Sequence, residues 1–273
     1  MTVVGEAGSL RGFDAGKKRI RRLKLARWSR WLTLAAFVAC LALVAQWSFS
    51  YSEMNFSAVL RNYEYLLRGL WMSWLVTLAA FAISIVPAIV LAFFRLSPNI
   101  VLRGFAAFVI EIVRTIPELL VILWMFFTIP IFTGVIMSSF VAGVASLAVI
   151  NAAYLAEAVR AGIMSVPKGQ YRAGLSTGLS PLQANIYIVT PMAFRNMIPE
   201  MRNRVIYLFK TSSLLYVVGV VEFFRALTIV NNRVYAPVAA FVIAAIVYFI
   251  CCNALDYVGQ RLEARSQRFR ARW

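Results

Sequence analysis

The sequence predicts an all-α fold, a polytopic membrane bundle of about six transmembrane helices. Three observations lead there. Hydrophobic residues make up 62% of the 273, against about 45–50% in a soluble domain, and the mean hydropathy is +0.76. The apolar residues gather in runs near 31–50, 67–94, 115–133, 137–160, 204–224 and 235–257, each close to the ~20 residues a helix needs to cross hydrocarbon. The charges are segregated between the runs. With the N-terminus placed in the cytoplasm, 23 of the 28 Lys and Arg residues fall on that side, as short cytoplasmic loops require.

Residues 1–30 form a basic tail in which Lys17, Lys18, Arg19, Arg21, Arg22, Lys24, Arg27 and Arg30 crowd before the first run. A secretory signal would look similar, but its apolar region is only about 7–15 residues long. The run 31–50 is longer and no small-x-small cleavage site follows, so it reads as a retained first helix. The second run carries Pro87, and the third is flanked by Pro117 and Pro130. Membrane helices tolerate proline where neighbours satisfy the freed carbonyls. The fourth run places Ala145, Ala148, Ala152 and Ala156 at helical spacing, a surface that another helix can approach closely. After the fifth and sixth runs the chain closes with a basic tail, 261–273, and both termini are expected in the cytoplasm.

Composition also excludes function classes. The net charge of +17 is a topology signal, because the cations sit between spans, so nucleic acid is not an expected partner. Histidine is absent, which removes the commonest general base and metal ligand. Cys40, Cys251 and Cys252 lie in apolar runs, where cysteine behaves as a small hydrophobe. No paired Ser/Lys or Asp arrangement suggests a membrane enzyme, and no site for a cofactor or metal is expected in this chain.

The stretch 157–204 is polar and turn-rich in an otherwise oily chain. Pro167 and Gly169 mark a turn, after which a short helix is expected over about 170–179. On it Tyr171, Leu175 and Leu179 make an apolar stripe, with Gly174 and Gly178 forming a smooth face beside it. Ser180-Pro181-Leu182-Gln183 reads as a helix start with a capping box. Pro191 and Pro199 are expected to break the chain before the fifth span. A short helix with an apolar stripe and a glycine face suits docking into another protein better than lying on lipid headgroups.

This segment resembles the EAA loop of bacterial ABC importer membrane subunits, whose pattern runs Glu-Ala-Ala…Gly…Ile-x-Leu-Pro. Here it reads Arg172-Ala173-Gly174, then Gly178, then Ile188-Val189-Thr190-Pro191. The strings Glu157-Ala158-Val159-Arg160-Ala161-Gly162-Ile163, Ser165-Val166-Pro167, Gly169-Gln170, Arg114-Thr115-Ile116-Pro117 and Lys210-Thr211-Ser212-Ser213-Leu214 look like the polar amino acid permeases (histidine/glutamine/glutamate-aspartate type) within that group. The likeness covers about 65–260, with the loop at about 160–200. Arg172 stands where the pattern has glutamate, Gly174 where it has alanine and Thr190 where it has leucine. Many members have five spans and an outside N-terminus, whereas the extra helix at 31–50 would bring this one inside.

The resemblance implies a type I ABC importer-like core in a bacterial inner membrane. Its partners would be separate ABC ATPase subunits that bind ATP and Mg²⁺, a second membrane subunit (identical or homologous), an extracytoplasmic amino acid-binding protein and membrane lipid. The chain itself has no Gly-x-x-x-x-Gly-Lys-Ser/Thr phosphate loop. Coupling to the ATPase would fall to Pro167, Gly169, Gln170, Arg172, Ala173, Gly174, Gly178, Leu179 and Pro191. Polar groups at membrane depth are candidates for a substrate path: Glu118, Asn151, Tyr154, Glu157, Lys210, Thr211, Ser212 and Ser213, with Glu222 also available. Glu118 and Glu222 lie near span ends, where water could solvate them. The strings Leu123-Trp124-Met125-Phe126 and Val221-Glu222-Phe223-Phe224-Arg225 look most like glutamate/aspartate permeases. A basic amino acid, glutamine or an opine-like derivative is the alternative substrate. An ion-gradient-driven secondary transporter is the alternative class, although the internal repeats typical of it are not evident.

Overall fold

The computed structural model describes residues 55–268, together with Ala35, Ala39 and Leu43. The basic tail 1–30, nearly all of the first run at 31–50, including Cys40, and residues 269–273 lie outside the described residues. From residue 56 the chain forms α1 (Phe56–Leu60), α2 (Tyr63–Leu96), α3 (Ile100–Thr115), α4 (Glu118–Thr133), α5 (Ser139–Met164), α6 (Lys168–Ser176), α7 (Pro181–Val218), α8 (Phe223–Val234) and α9 (Pro237–Arg268). No strand occurs among the described residues.

Three helices, α2, α5 and α9, are long and apolar enough to cross a bilayer. Two bent pairs qualify when each is taken as one span: α3 with α4, turning by 103°, and α7 with α8, turning by 51°. The described residues therefore hold three to five candidate spans, and the expected six is not reached among them. The stretch before the third span, expected to be a cytoplasmic loop, is instead helix α3, started by the Asn99 side chain accepting from the Val101 and Leu102 amides at 2.9 and 3.4 Å. Its end is dictated locally. Ile116 precedes a proline and is extended (φ −74°, ψ 135°), because the proline ring disfavours helical backbone at the residue before it. The α7–α8 bend passes through Gly219, whose φ of +98° is open to glycine at little cost.

The expected breaks at Pro191 and Pro199 do not occur. Helix runs unbroken from Pro181 to Val218. Proline lacks an amide hydrogen and its ring crowds the carbonyl four residues back. The chain absorbs this at Pro191 by widening the preceding turn: Asn185–Val189 is a π segment, and the Thr190 amide reaches Asn185 O five residues back. The same device precedes Pro130, where Trp124–Thr128 is π and the Ile129 amide reaches Trp124 O. Pro199 sits inside the regular part of α7.

Small residues decide which helices meet. The buried face of α2 carries Gly69, Ser73, Thr77, Ala80, Ser84, Ala88 and Ala92, and α2 with α5 is the most extensive helix pair. On α5 the expected alanine stripe is buried at Ala148, Ala152 and Ala156. A Cβ at Gly69 would stand 2.7 Å from that of Ala226, so α8 crosses α2 with no room for a larger residue. Around these contacts sit a central apolar cluster (Val76, Ile122, Leu147, Ile150, Leu208, Leu215), one toward α8 and α9 (Leu66, Phe223, Leu227, Ile243), and one toward α3 (Ile110 with Ala88, Ala92 and Leu155). Much apolar surface faces outward, with Phe132 and Ile136 83% and 92% exposed, as expected where lipid is the solvent.

Glu222 is fully buried rather than solvated. Its carboxylate caps α8, accepting from the Phe224 and Arg225 amides at 2.8 and 2.7 Å. It also accepts from Ser73 Oγ at 3.4 Å and the Tyr248 hydroxyl at 3.5 Å, which ties α8 to α2 and α9.

Candidate functional site

A polar chain crosses the core where α2, α5 and α7 meet. Asn151 Nδ2 on α5 donates to Ser84 Oγ on α2 at 2.7 Å. Arg204 Nε on α7 donates to Asn151 Oδ1 at 3.1 Å. The Arg204 guanidinium also lies over two rings, 4.2 Å from the centroid of Tyr154 and 4.4 Å from that of Tyr207, and Arg114 approaches the Tyr154 ring at 5.1 Å. The Tyr207 hydroxyl donates to Glu118 at the start of α4, and Thr211, one turn further along α7, faces the same carboxylate.

Spacing along each helix produces this convergence. Asn151 and Tyr154 are three apart on α5; Arg204, Tyr207 and Thr211 fall at i, i+3 and i+7 on α7, so each set lies on one face. The α3–α4 break places Arg114 and Glu118 on either side of the turn. Arg204 is only 6% exposed, and its Nη2 is buried with no hydrogen-bond acceptor among the described residues. A buried guanidinium nitrogen without an acceptor is costly. Stacking between aromatic rings stabilises the cation but supplies no acceptor for that nitrogen.

Beside the cluster lies a cavity of about 1070 Å³, walled by Arg114, Tyr154 and Glu157, by Glu200, one turn before Arg204 on α7, and by Pro167 and Gln170 at the base of α6. Glu157 lines it, but both carboxylate oxygens are engaged, by Arg95 at 3.2 Å and Arg160 at 2.8 Å. Below, Asn196 Nδ2 of α7 donates to Ser165 Oγ at the end of α5, at 2.8 Å.

Of the residues expected to line a path, Glu118, Asn151, Tyr154 and Thr211 come together around Arg204, with Glu157 one turn away. Lys210, Ser212 and Ser213 do not join them. Lys210 and Ser213 face a separate groove of about 630 Å³ between α7 and α9, with Asp256 at its edge. Ser212 Oγ donates to Phe209 O at 2.8 Å, a local helix bond. Sequence reasoning missed Arg204, Tyr207 and Ser84, and used Arg114 only as part of a pattern. It counted Arg204 among cytoplasmic cations because the helix was started too late; the i, i+3, i+7 spacing with Tyr207 and Thr211 was the available signal.

The expected short helix over 170–179 is α6, Lys168–Ser176, starting and ending earlier. Its residues Lys168, Gly169, Gln170, Arg172, Ala173 and Leu175 are exposed, as is Pro167 before it. The two glycines do not form a smooth outer face. Gly174 is buried, and a Cβ there would lie 2.4 Å from Ile188 Cδ1, so it lets α6 pack on its own chain. Gly178 lies past the helix end at φ +87° with open space around it. Leu179 N–H to Gly174 O (3.3 Å) and Gly178 N–H to Leu175 O (3.1 Å) make it the left-handed residue of a Schellman cap. Leu179 is half-buried. The Ser180 capping box is present, with Gln183 N–H to Ser180 Oγ at 3.3 Å and Ser180 N–H to Gln183 Oε1 at 2.9 Å. Pro191 is exposed at the start of the regular part of α7.

Comparison with known proteins places this geometry in context. Residues 84–268 match the family model described as binding-protein-dependent transport system inner membrane component. The chain is 31% identical over 221 residues to the glutamate/aspartate import permease protein GltK of Escherichia coli O6:H1, covering 78% of this chain and 99% of that one. It is 27% identical to the glutamine transport system permease protein GlnP of Escherichia coli strain K12 (79% and 99% covered). Identity is 26% to the arginine transport system permease protein ArtQ of Bacillus subtilis strain 168 (78% and 97%). Among solved structures, an amino acid ABC transporter crystallised with histidines superposes with a TM-score of 0.74 at 27% identity, covering 78% of this chain and all of that one. The MetNI methionine ABC transporter shares the fold, with a TM-score of 0.63 at 21% identity over 76% of this chain and 98% of that one.

Proposed function

This chain belongs to the family of binding-protein-dependent transport system inner membrane components, and on that premise we propose that it is the membrane subunit of an ATP-driven importer of polar amino acids. It is a multi-pass inner-membrane protein that forms the path. ATP and Mg²⁺ are held by separate ATPase subunits, an extracytoplasmic binding protein delivers the solute, and a second membrane subunit completes the complex. The Lys/Arg distribution supports cytoplasmic termini and a cytoplasmic α6.

The observation that carries the reading is the free, buried Nη2 of Arg204 with Glu118 across Tyr207. An amino acid presents a carboxylate and an ammonium. Arg204 supplies a donor for the first and Glu118 a counter-charge for the second, in a site of low dielectric where both interactions are strong. The mechanical link is covalent. α6 joins α5, which carries Asn151 and Tyr154, to α7, which carries Arg204 and Tyr207. A push on α6 therefore shifts the two halves of the guanidinium sandwich against each other and alters access to the site.

Acidic amino acids are the favoured substrates. Arg204 and Arg114 both reach Tyr154, and Glu157 is already paired twice, so against Glu118 and the exposed Glu200 the site offers two cations, one for each carboxylate of an acidic amino acid. Uptake competition in proteoliposomes holding the whole complex tests this. Labelled glutamate should be displaced by aspartate and glutamate. Displacement only by arginine or lysine would reverse the charge assignment, and uptake without ATP would remove the importer reading.

A further inference from the structure

On the underside of the same subunit, a cleft of about 460 Å³ opens between α6 and the ends of α5 and α7. Ile163, Val166 and Val189 give it an apolar floor, and the exposed Lys168, Arg172 and Asn185 give it a polar rim. The two cations stand four residues apart on α6, where like charges repel. Lys168 also occupies the first turn, where the helix dipole already favours an anion. No acidic side chain occupies that first turn, and the sequence has no Asp or Glu anywhere between Glu157 and Glu200. Neither Lys168 nor Arg172 pairs with a described side chain.

We propose that this cleft receives a carboxylate side chain of the ATPase subunit, clasped by Lys168 and Arg172, so that the docking surface of the ATPase is acidic where it meets this chain. The inference rests on the importer reading above and adds the chemistry of the contact. A single Asp or Glu would relieve the repulsion between the two cations, satisfy the α6 N-terminus and lay its methylenes on the apolar floor. A lipid surface fits less well. The face around the cations offers Gly169 and Ala173, and on α6 only Leu175 is a large exposed apolar side chain, at 37%, too little to insert among acyl chains as a membrane-lying helix does. The same small residues let a protein surface approach closely.

The test uses the purified complex with its ATPase. Zero-length carbodiimide coupling followed by peptide mass spectrometry should join Lys168 to an Asp or Glu of the ATPase. The product should vanish in Lys168→Arg, whose complex still co-purifies the ATPase. Arg172→Glu should lower binding-protein-stimulated ATP hydrolysis by about tenfold or more, since like charges facing each other across an interface are costly. Arg172→Lys should fall less, because the charge is kept. The inference is overturned if the ATPase co-purifies but Lys168 couples only within this chain while Arg172→Glu hydrolyses normally. It is equally overturned if phosphatidylglycerol vesicles without ATPase protect Lys168 as fully as the ATPase does. If the ATPase does not co-purify with the wild-type chain, the importer reading fails before the cleft is in question.

Discussion

At Arg204 a guanidinium is held by one hydrogen bond, to Asn151, and two aromatic faces, while a second nitrogen is left buried without an acceptor. Arg225 Nε is likewise buried without an acceptor; what sets Arg204 apart is its place between Asn151 and two tyrosine rings, and on the proposed reading it receives an incoming oxygen. Arg204→Gln keeps a polar group but loses the charge and the stacking. Charge-assisted hydrogen bonds contribute about 1.5–3 kcal/mol, so uptake at limiting solute should fall roughly 10- to 100-fold. The assembled complex should still be recovered by gel filtration. Unchanged uptake of every amino acid tested would make Arg204 a packing residue. Lys210 stands apart from this site, in the α7–α9 groove, although it lies inside the apolar run 204–224 and was a path candidate on that account.

Among the elements, α6 shows how one residue type can serve two ends. Gly174 is required by close approach to Ile188, and Gly178 by its left-handed backbone. A non-glycine residue in that conformation costs about 1–2 kcal/mol, and a side chain at Gly174 must displace Ile188. Gly178→Ala should therefore loosen the end of α6, and Gly174→Val should lift α6 off the chain beneath it. Both should reduce stimulated ATP hydrolysis while leaving membrane insertion intact, and limited proteolysis should cut sooner within 176–182. If Gly174→Val couples normally with an unchanged proteolysis pattern, the seat of α6 on Ile188 is unimportant. The capping box at Ser180 was legible in sequence because its signal is local. The glycine roles were not, because spacing alone does not reveal whether a glycine faces a partner, faces its own chain or turns a corner.

Over the whole molecule, the cavity of about 1070 Å³ runs from Tyr154 to Pro167 and Gln170, joining the polar cluster to the base of α6. On the proposed reading that α6 is cytoplasmic, this cavity would be the solute's way out toward that side. In a cysteine-free background, Ser165→Cys should react with a water-soluble maleimide in the nucleotide-free complex. Trapping the ATPase in its closed, ATP-bound state should slow the reaction by about tenfold or more if the cavity closes as a two-state element. Equal reactivity in both states would detach this cavity from the transport cycle.

The sequence by itself determined the apolar character that makes lipid the solvent, the helical class, the approximate place of the runs at 67–94, 137–160 and 235–257, and the capped helix start at Ser180. These follow from hydropathy and from local turn chemistry, both properties of neighbouring residues. It did not determine that α3 is a helix bent against α4, or that α7 passes Pro191 and Pro199 unbroken. Whether a proline ends a helix depends on a widened turn and on packing around it. Nor did it single out Arg204, which reads as one more cytoplasmic cation until α5 and α7 are set side by side. Asn151, Tyr154, Tyr207 and Glu118 are separated from one another and from Arg204 by up to 89 positions, and only tertiary packing of their helices brings them around one guanidinium.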